Sequence, residues 1–233
     1  MKTHFLLLGL LSLLALSSCK TPQHQIKRQS TTEMDVYPVE GRNSWRWKRK
    51  VTAGEFTADT FKGGWVGSYE FPFFLNFRGS KEKFSFVQRD GQGNQAVVLA
   101  VDRFKTVEVP VVRNYFSIPI QYEQLFAGSV YLPARNQSYD FWLNYPDANT
   151  RITRTEGYIL LPTGRVEITG IQQLEGMSFK LPGNLGYNFL LNGEVIATVD
   201  AMNKGMIYLK QDLEPETRLI LVAVANSLMQ RTK

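Results

Sequence analysis

The constraint that matters most is the cadence of apolar residues. From about Glu55 onward they come in short runs parted by turn residues. Candidate strands are Phe71–Phe77, Lys83–Gln88, Ala96–Phe104, Val107–Val112, Phe116–Gln121, Ser129–Leu132, Tyr139–Tyr145, Tyr158–Leu161, Arg165–Thr169, Gly186–Leu191, Glu194–Ala201 and Met206–Lys210. Such spacing predicts a mainly β fold, an antiparallel β-barrel or sandwich. The turns have physical causes. Asn192-Gly193 supplies the positive φ angles of a tight hairpin, and Pro162-Thr163-Gly164 and Asn203-Lys204-Gly205 read as further hairpin turns. Asp90-Gly91-Gln92-Gly93-Asn94 is a longer one, with too few carboxylates for a calcium loop. Alternation marks half-buried strands: Tyr139, Phe141, Leu143 and Tyr145 share one face, and Asp140, Trp142 and Asn144 the other.

The C-terminus departs from this cadence. Pro215 suits a first helical turn, and Leu219 to Ala225 is apolar on every side. That composition fits one buried apolar C-terminal helix; one more buried strand is the alternative.

The N-terminus has a different organisation. Lys2 precedes an apolar run from Phe5 to Leu16, followed by Leu16-Ser17-Ser18-Cys19. The run is too short to span a bilayer as a helix. Charge, apolar core, small residues and cysteine in this order resemble a bacterial lipoprotein signal peptide with its lipobox. The resemblance implies cleavage after Ser18, lipidation of Cys19 and a lipid-anchored envelope protein. Lys20, where an inner-membrane retention signal has Asp, implies the outer membrane. The absence of an acidic cluster after the cysteine points to its periplasmic face. Cys19 is the sole cysteine, so a lipidated chain has neither disulfide nor thiol and depends on an ordinary core.

Charge divides the chain further. Residues 20–54 hold eight Lys and Arg against three acids, whereas residues 55–233 hold eighteen of each. The expected domains are therefore a signal peptide at 1–18, a lipidated cysteine with a basic flexible tether at 19–54, and a single β-rich domain at 55–233. Trp45, Arg46, Trp47, Lys48, Arg49 and Lys50 form a candidate patch for a membrane surface, since indoles favour the interface and cations favour anionic head groups. A solvated first strand is the alternative. Export argues against nucleic acid as a partner.

The strand Gly186–Leu191, its hairpin partner Glu194–Ala201, the strand Met206–Lys210 and the apolar terminal segment come in an order that resembles the end of the tubby-like barrel. Tubby proteins, phospholipid scramblases and LURP-one-related proteins share that fold, in which a β-barrel encloses a hydrophobic C-terminal helix. The matching stretch is about 186–230, and Phe84 to Asn94 resembles an earlier hairpin of the same kind. The resemblance implies a barrel and a link to membrane lipid. No motif matches, so it transfers no ligand residue.

Some chemistries are excluded by counting. The two histidines are His4 and His24, both outside the predicted domain. A domain without His or Cys cannot build Ser-His-Asp or Cys-His catalysis or the usual zinc sites. No metal or cofactor is expected. Acids such as Asp140, Asp147, Glu167 and Glu175 leave a carboxylate-dependent glycan hydrolase open. Two binding surfaces are candidates. One is the face of Asp140, Trp142 and Asn144, suited to stacking on a sugar. The other is the aromatic stretch Gly63 to Phe77, which includes Trp65, with Phe61 just before it. The expected function is non-catalytic binding of a lipid, a glycan or another envelope protein. A structural or assembly role, signalled by an open sheet edge or an exposed apolar patch, is the alternative.

Overall fold

The computed structural model describes residues 26, 33–42, 50–63, 82–102, 125–145 and 155–231. The signal peptide, Cys19, Trp45–Arg49, Trp65 and the candidate strands Phe71–Phe77, Val107–Val112 and Phe116–Gln121 lie outside the described residues.

Among the described residues, twelve antiparallel strands close into a barrel around one helix. The strands are β1 (Met34–Glu40), β2 (Val51–Ala53), β3 (Phe56–Gly63), β4 (Glu82–Arg89), β5 (Gln95–Asp102), β6 (Leu125–Leu132), β7 (Gln137–Asn144), β8 (Glu156–Leu161), β9 (Gly164–Ile171), β10 (Gly186–Leu191), β11 (Glu194–Asp200) and β12 (Met206–Lys210). Each pairs with its sequence neighbour, and β1 closes the ring on β12 with Met34 opposite Lys210 and Val36 opposite Tyr208. The helix α1 (Pro215–Arg231) runs through the bore.

The domain boundary expected at residue 55 is corrected by this wall. β1 and β2 fall inside the segment read as a flexible tether, and without them the ring would not close. The basic charge of residues 20–54 concealed them. β1 also carries Asp35 on its inward side, where it meets Arg218 at 2.8 Å.

The alternation is clear in β9, where Val166 and Ile168 are buried in the core while Arg165 and Glu167 are exposed. In β5, Ala96, Val98 and Ala100 face the core, and the outward positions are Gln95, Val97, Leu99 and Val101. Among the described residues no helix is long and apolar enough to cross a membrane.

A twelve-strand ring is too wide for side chains alone to fill. Here α1 fills it. Every residue from Leu219 to Met229 is buried, which explains why the segment is apolar on all sides. The helix packs against β3, β4 and β5, whose inward positions include the small residues Ala58, Ala96 and Ala100. Phe126, Phe141, Tyr187 and Phe189 fill the rest of the space.

One polar contact crosses the core: the Asn226 amide donates to Gln88 Oε1 at 2.7 Å, and both residues are buried. Asn226 Oδ1 has no partner. Gln88→Leu would strand the amide as well, at a cost of about 1–3 kcal/mol. The double variant Gln88→Leu/Asn226→Leu should recover most of that loss. Urea unfolding of the four proteins in the cycle measures both numbers, and a single variant as stable as the parent would deny the contact any role.

The turns follow their sequences. Asn192 and Gly193 have φ of 53° and 83°, both positive as a tight β10–β11 hairpin requires. In the β4–β5 turn the Asp90 carboxylate accepts from the backbone N–H groups of Gln92 and Asn94 at 3.0 and 2.8 Å. It therefore serves the turn.

Topology gives the barrel two unlike poles. Residues 54–55, 90–94, 133–136, 162–163, 192–193 and 211–214 make short turns at the pole where α1 begins. The connections 41–50, 64–81, 103–124, 145–155, 172–185 and 201–205 leave and re-enter the wall at the pole where α1 ends.

Candidate binding groove on the barrel wall

Both mouths of the bore are stoppered by charged residues of the helix. At its N-terminal end, Arg218 pairs with Asp35 and donates to the Tyr37 hydroxyl. The hydrogen bond from Arg218 holds the Asp35 carboxyl below its ordinary range. Beside it, Glu216 accepts from Arg135 at 2.7 Å and from the Tyr139 hydroxyl at 3.1 Å. At the other end, Arg231 donates to Asp102 at 3.0 Å and lies over the Tyr145 ring. Burial pushes the Tyr145 phenol well above its ordinary range, and the Tyr187 hydroxyl stands 3.4 Å away. Arg42 closes the same end by donating to Met229 O at 2.9 Å and Ala201 O at 2.6 Å. A cation on the last carbonyls also opposes the helix dipole. Among the described residues, α1 and the inward side chains thus fill the bore, and charged side chains stopper both mouths.

The outer wall carries a groove of about 450 Å³ across β3, β4, β5 and the end of β6. Its apolar floor includes Val87, Val97 and Pro133; its polar groups are Thr60, Lys62, Ser85, Arg89, Gln95 and Tyr131. Strand parity places most of them. Ser85, Val87 and Arg89 point outward on β4, and Arg89 stands opposite Gln95 on β5. A bulge supplies two more. The β3–β4 register shifts between Asp59 and Lys62, and Thr60 sits there with φ of 56°. Such a bulge bends the strand and re-aims its side chains.

Arg89 is held by Asp59 at 2.5 Å, with both side chains one-third exposed. Burial works to raise the Asp59 carboxyl, but the hydrogen bonds from Arg89 and Thr60 outweigh it and hold the group below its ordinary range. The guanidinium is thus fixed in place with part of its surface still open to the groove. Tyr131 donates its hydroxyl to Asn136 Oδ1 at 3.1 Å, which fixes the ring at the far wall. The lining contains no carboxylate, so two-carboxylate hydrolysis finds no acid pair in it. Hydroxyl, amide and cationic donors over an apolar floor suit a polar ligand with acceptor oxygens, such as a sugar or an anionic head group.

The residues expected to bind are arranged differently. Asp140, Trp142 and Asn144 do share the outer face of β7, as alternation requires, but they do not line the groove. Trp142 covers Val101, Leu125 and Ala127 and meets the Tyr158 ring edge-on at 4.7 Å. Arg165 in turn stacks on Tyr158 at 4.4 Å. Asp140 neighbours Ser129, and burial raises its carboxyl. Asn144 is buried. Of the aromatic stretch, Phe61 is described, and it stacks on Phe86 at 5.1 Å as part of the core. Lys50 is exposed.

Sequence reading missed Thr60, Lys62, Ser85, Arg89, Gln95 and Tyr131. One signal was present: the Asp90–Asn94 turn sets Arg89 opposite Gln95. The bulge that brings in Thr60 and Lys62 has no comparable signature. No family model, no curated protein and no solved structure matches this chain.

Proposed function

We propose that this chain is a lipid-anchored protein of the cell envelope, held by Cys19 at the periplasmic face of the outer membrane. Its barrel acts as a non-catalytic binding module. The observation that carries the binding reading is the pairing of a filled bore with an open groove on the wall. A barrel packed like this one cannot enclose a ligand, so its stable wall serves as the platform. The groove's chemistry favours a glycan or an anionic lipid head group. An apolar helix inside a closed barrel also supports the tubby-like relationship, and with it the link to lipid. The assembly alternative called for an open sheet edge or an exposed apolar patch, and among the described strands the closed ring has no open edge.

The anchor is tested by the mass of the mature chain and by its fractionation. The parent should carry acyl chains and sediment with membranes; Cys19→Ala should be released. Binding is tested by titrating a cell-wall disaccharide–peptide and glycerol phosphate into the Cys19→Ala chain. Arg89→Ala should weaken the bound ligand about tenfold or more, the scale of a charge-assisted contact. Equal affinity for Arg89→Ala would remove the groove from the reading.

A further inference from the structure

We infer that the pole of the barrel where α1 ends is a membrane-docking face and lies against an anionic lipid surface, with Phe179 and the exposed lysines of that pole as its contact. The inference rests on the lipid-anchor reading for one of its arguments and on the fold for the others.

The first argument is chain length. Ile26 pairs with Leu174, just after β9, and is buried there. Its side chain packs beside Gly186, at the start of β10. Both partners belong to the pole where α1 ends. Cys19 stands seven residues earlier. Fully extended, that length reaches no more than about 25 Å. A lipid on Cys19 therefore holds this pole near the bilayer.

The second argument is charge. The topology sorts charge between the two poles. Among the described residues, the connections at this pole hold four bases, Arg42, Lys50, Lys180 and Lys204, and one acid, Glu175. The short turns at the other pole contain four acids, Glu55, Asp90, Asp212 and Glu214, and one base, Arg135. An anionic surface would attract the first pole and repel the second. Among the described residues Lys50, Lys180 and Lys204 are exposed at the basic pole, with Glu175 as the exposed acid.

The third argument is a single side chain. Phe179 is the most exposed large apolar residue described, at 58%. It lies in the 172–185 connection, between Ser178 and Lys180, both exposed. An aromatic ring beside a lysine is suited to the boundary between head groups and acyl chains.

The lipidated chain provides a direct test, because acylation of Cys19 leaves any engineered cysteine as the one free thiol. Ser178→Cys and Thr163→Cys, both at exposed positions, each carry an environment-sensitive dye. The proteins are placed in vesicles of phosphatidylcholine and phosphatidylglycerol with nitroxide-labelled lipid. The dye at 178 should be quenched several-fold and the dye at 163 left unchanged. Equal quenching, or stronger quenching at 163, would overturn the inference. A second arm separates it from the anchor. The Cys19→Ala chain should float with the same vesicles at low salt and be released at high salt. Lys50→Glu/Lys180→Glu/Lys204→Glu should lower the bound fraction several-fold, and Arg135→Glu should not. If Cys19 proves unacylated but this pattern holds, the anchor reading fails and the docking face stands. If Arg135→Glu weakens flotation as much as the triple change, or the chain binds polyanions and ignores vesicles, the docking face is wrong.

Discussion

A chain stopped after Asp212 will not yield a soluble barrel. The truncation removes α1 and with it every buried residue from Leu219 to Met229. A large aliphatic side chain contributes about 1.5–3 kcal/mol when buried, so the helix as a whole outweighs the roughly 5–15 kcal/mol that separates folded from unfolded domains. The wall would enclose a void lined by Val98, Phe126, Phe141 and Phe189. The expected result is insoluble protein, or soluble protein without protected amides in hydrogen exchange. A soluble, cooperatively unfolding truncation would mean that the wall stands without its filling. A milder variant gives a graded measure. Leu221→Ala keeps the helix and should cost about 2–5 kcal/mol, as large-to-small changes in packed cores do.

Arg231→Met should have the next largest effect. The Arg231 and Asp102 side chains are 15% and 12% exposed, so the pair is close to fully desolvated. Removing one partner of such a pair leaves a charge buried without compensation, which costs about 3–5 kcal/mol. The loss also releases Tyr145, whose ring the guanidinium covers. Pairing the change with Asp102→Leu removes the stranded carboxylate and should restore part of the stability. Urea unfolding reads both. A single variant within experimental error of the parent would show that this end of the bore is wetter than its geometry indicates. The Tyr145 and Tyr187 phenols, both raised by burial, should remain neutral well into the alkaline range while the fold persists.

The parts of this fold that could be read from sequence are those with local causes. The hairpins β4–β5, β8–β9, β10–β11 and β11–β12 follow from turn residues and alternation within a few positions. The helix follows from an apolar segment with no polar face. β1 and β2 were missed because their evidence is remote: Val36 reads as a strand residue once Tyr208 stands opposite it. β2 spans only Val51–Ala53 and has little pattern to detect. Asp35 on an inward position breaks the alternation, and its partner Arg218 is far along the chain. The groove was hidden for a related reason. Arg89, Lys62 and Gln95 look like ordinary solvated residues until register and a bulge bring them together. Trp142, read as a candidate for stacking on a sugar, lies over an outer apolar cluster beside Tyr158.

Closure of the ring between β1 and β12 has a consequence for biogenesis. A chain synthesised from its N-terminus delivers β1 first, yet Met34 has to find Lys210, and α1 is the last element to arrive. Until it does, the inward residues of the twelve earlier strands lack the helix they pack on. Non-local pairing of this kind is slow and leaves apolar surface open in the meantime. The nascent chain should therefore depend on a holding chaperone during synthesis, and its need for one should end when α1 emerges.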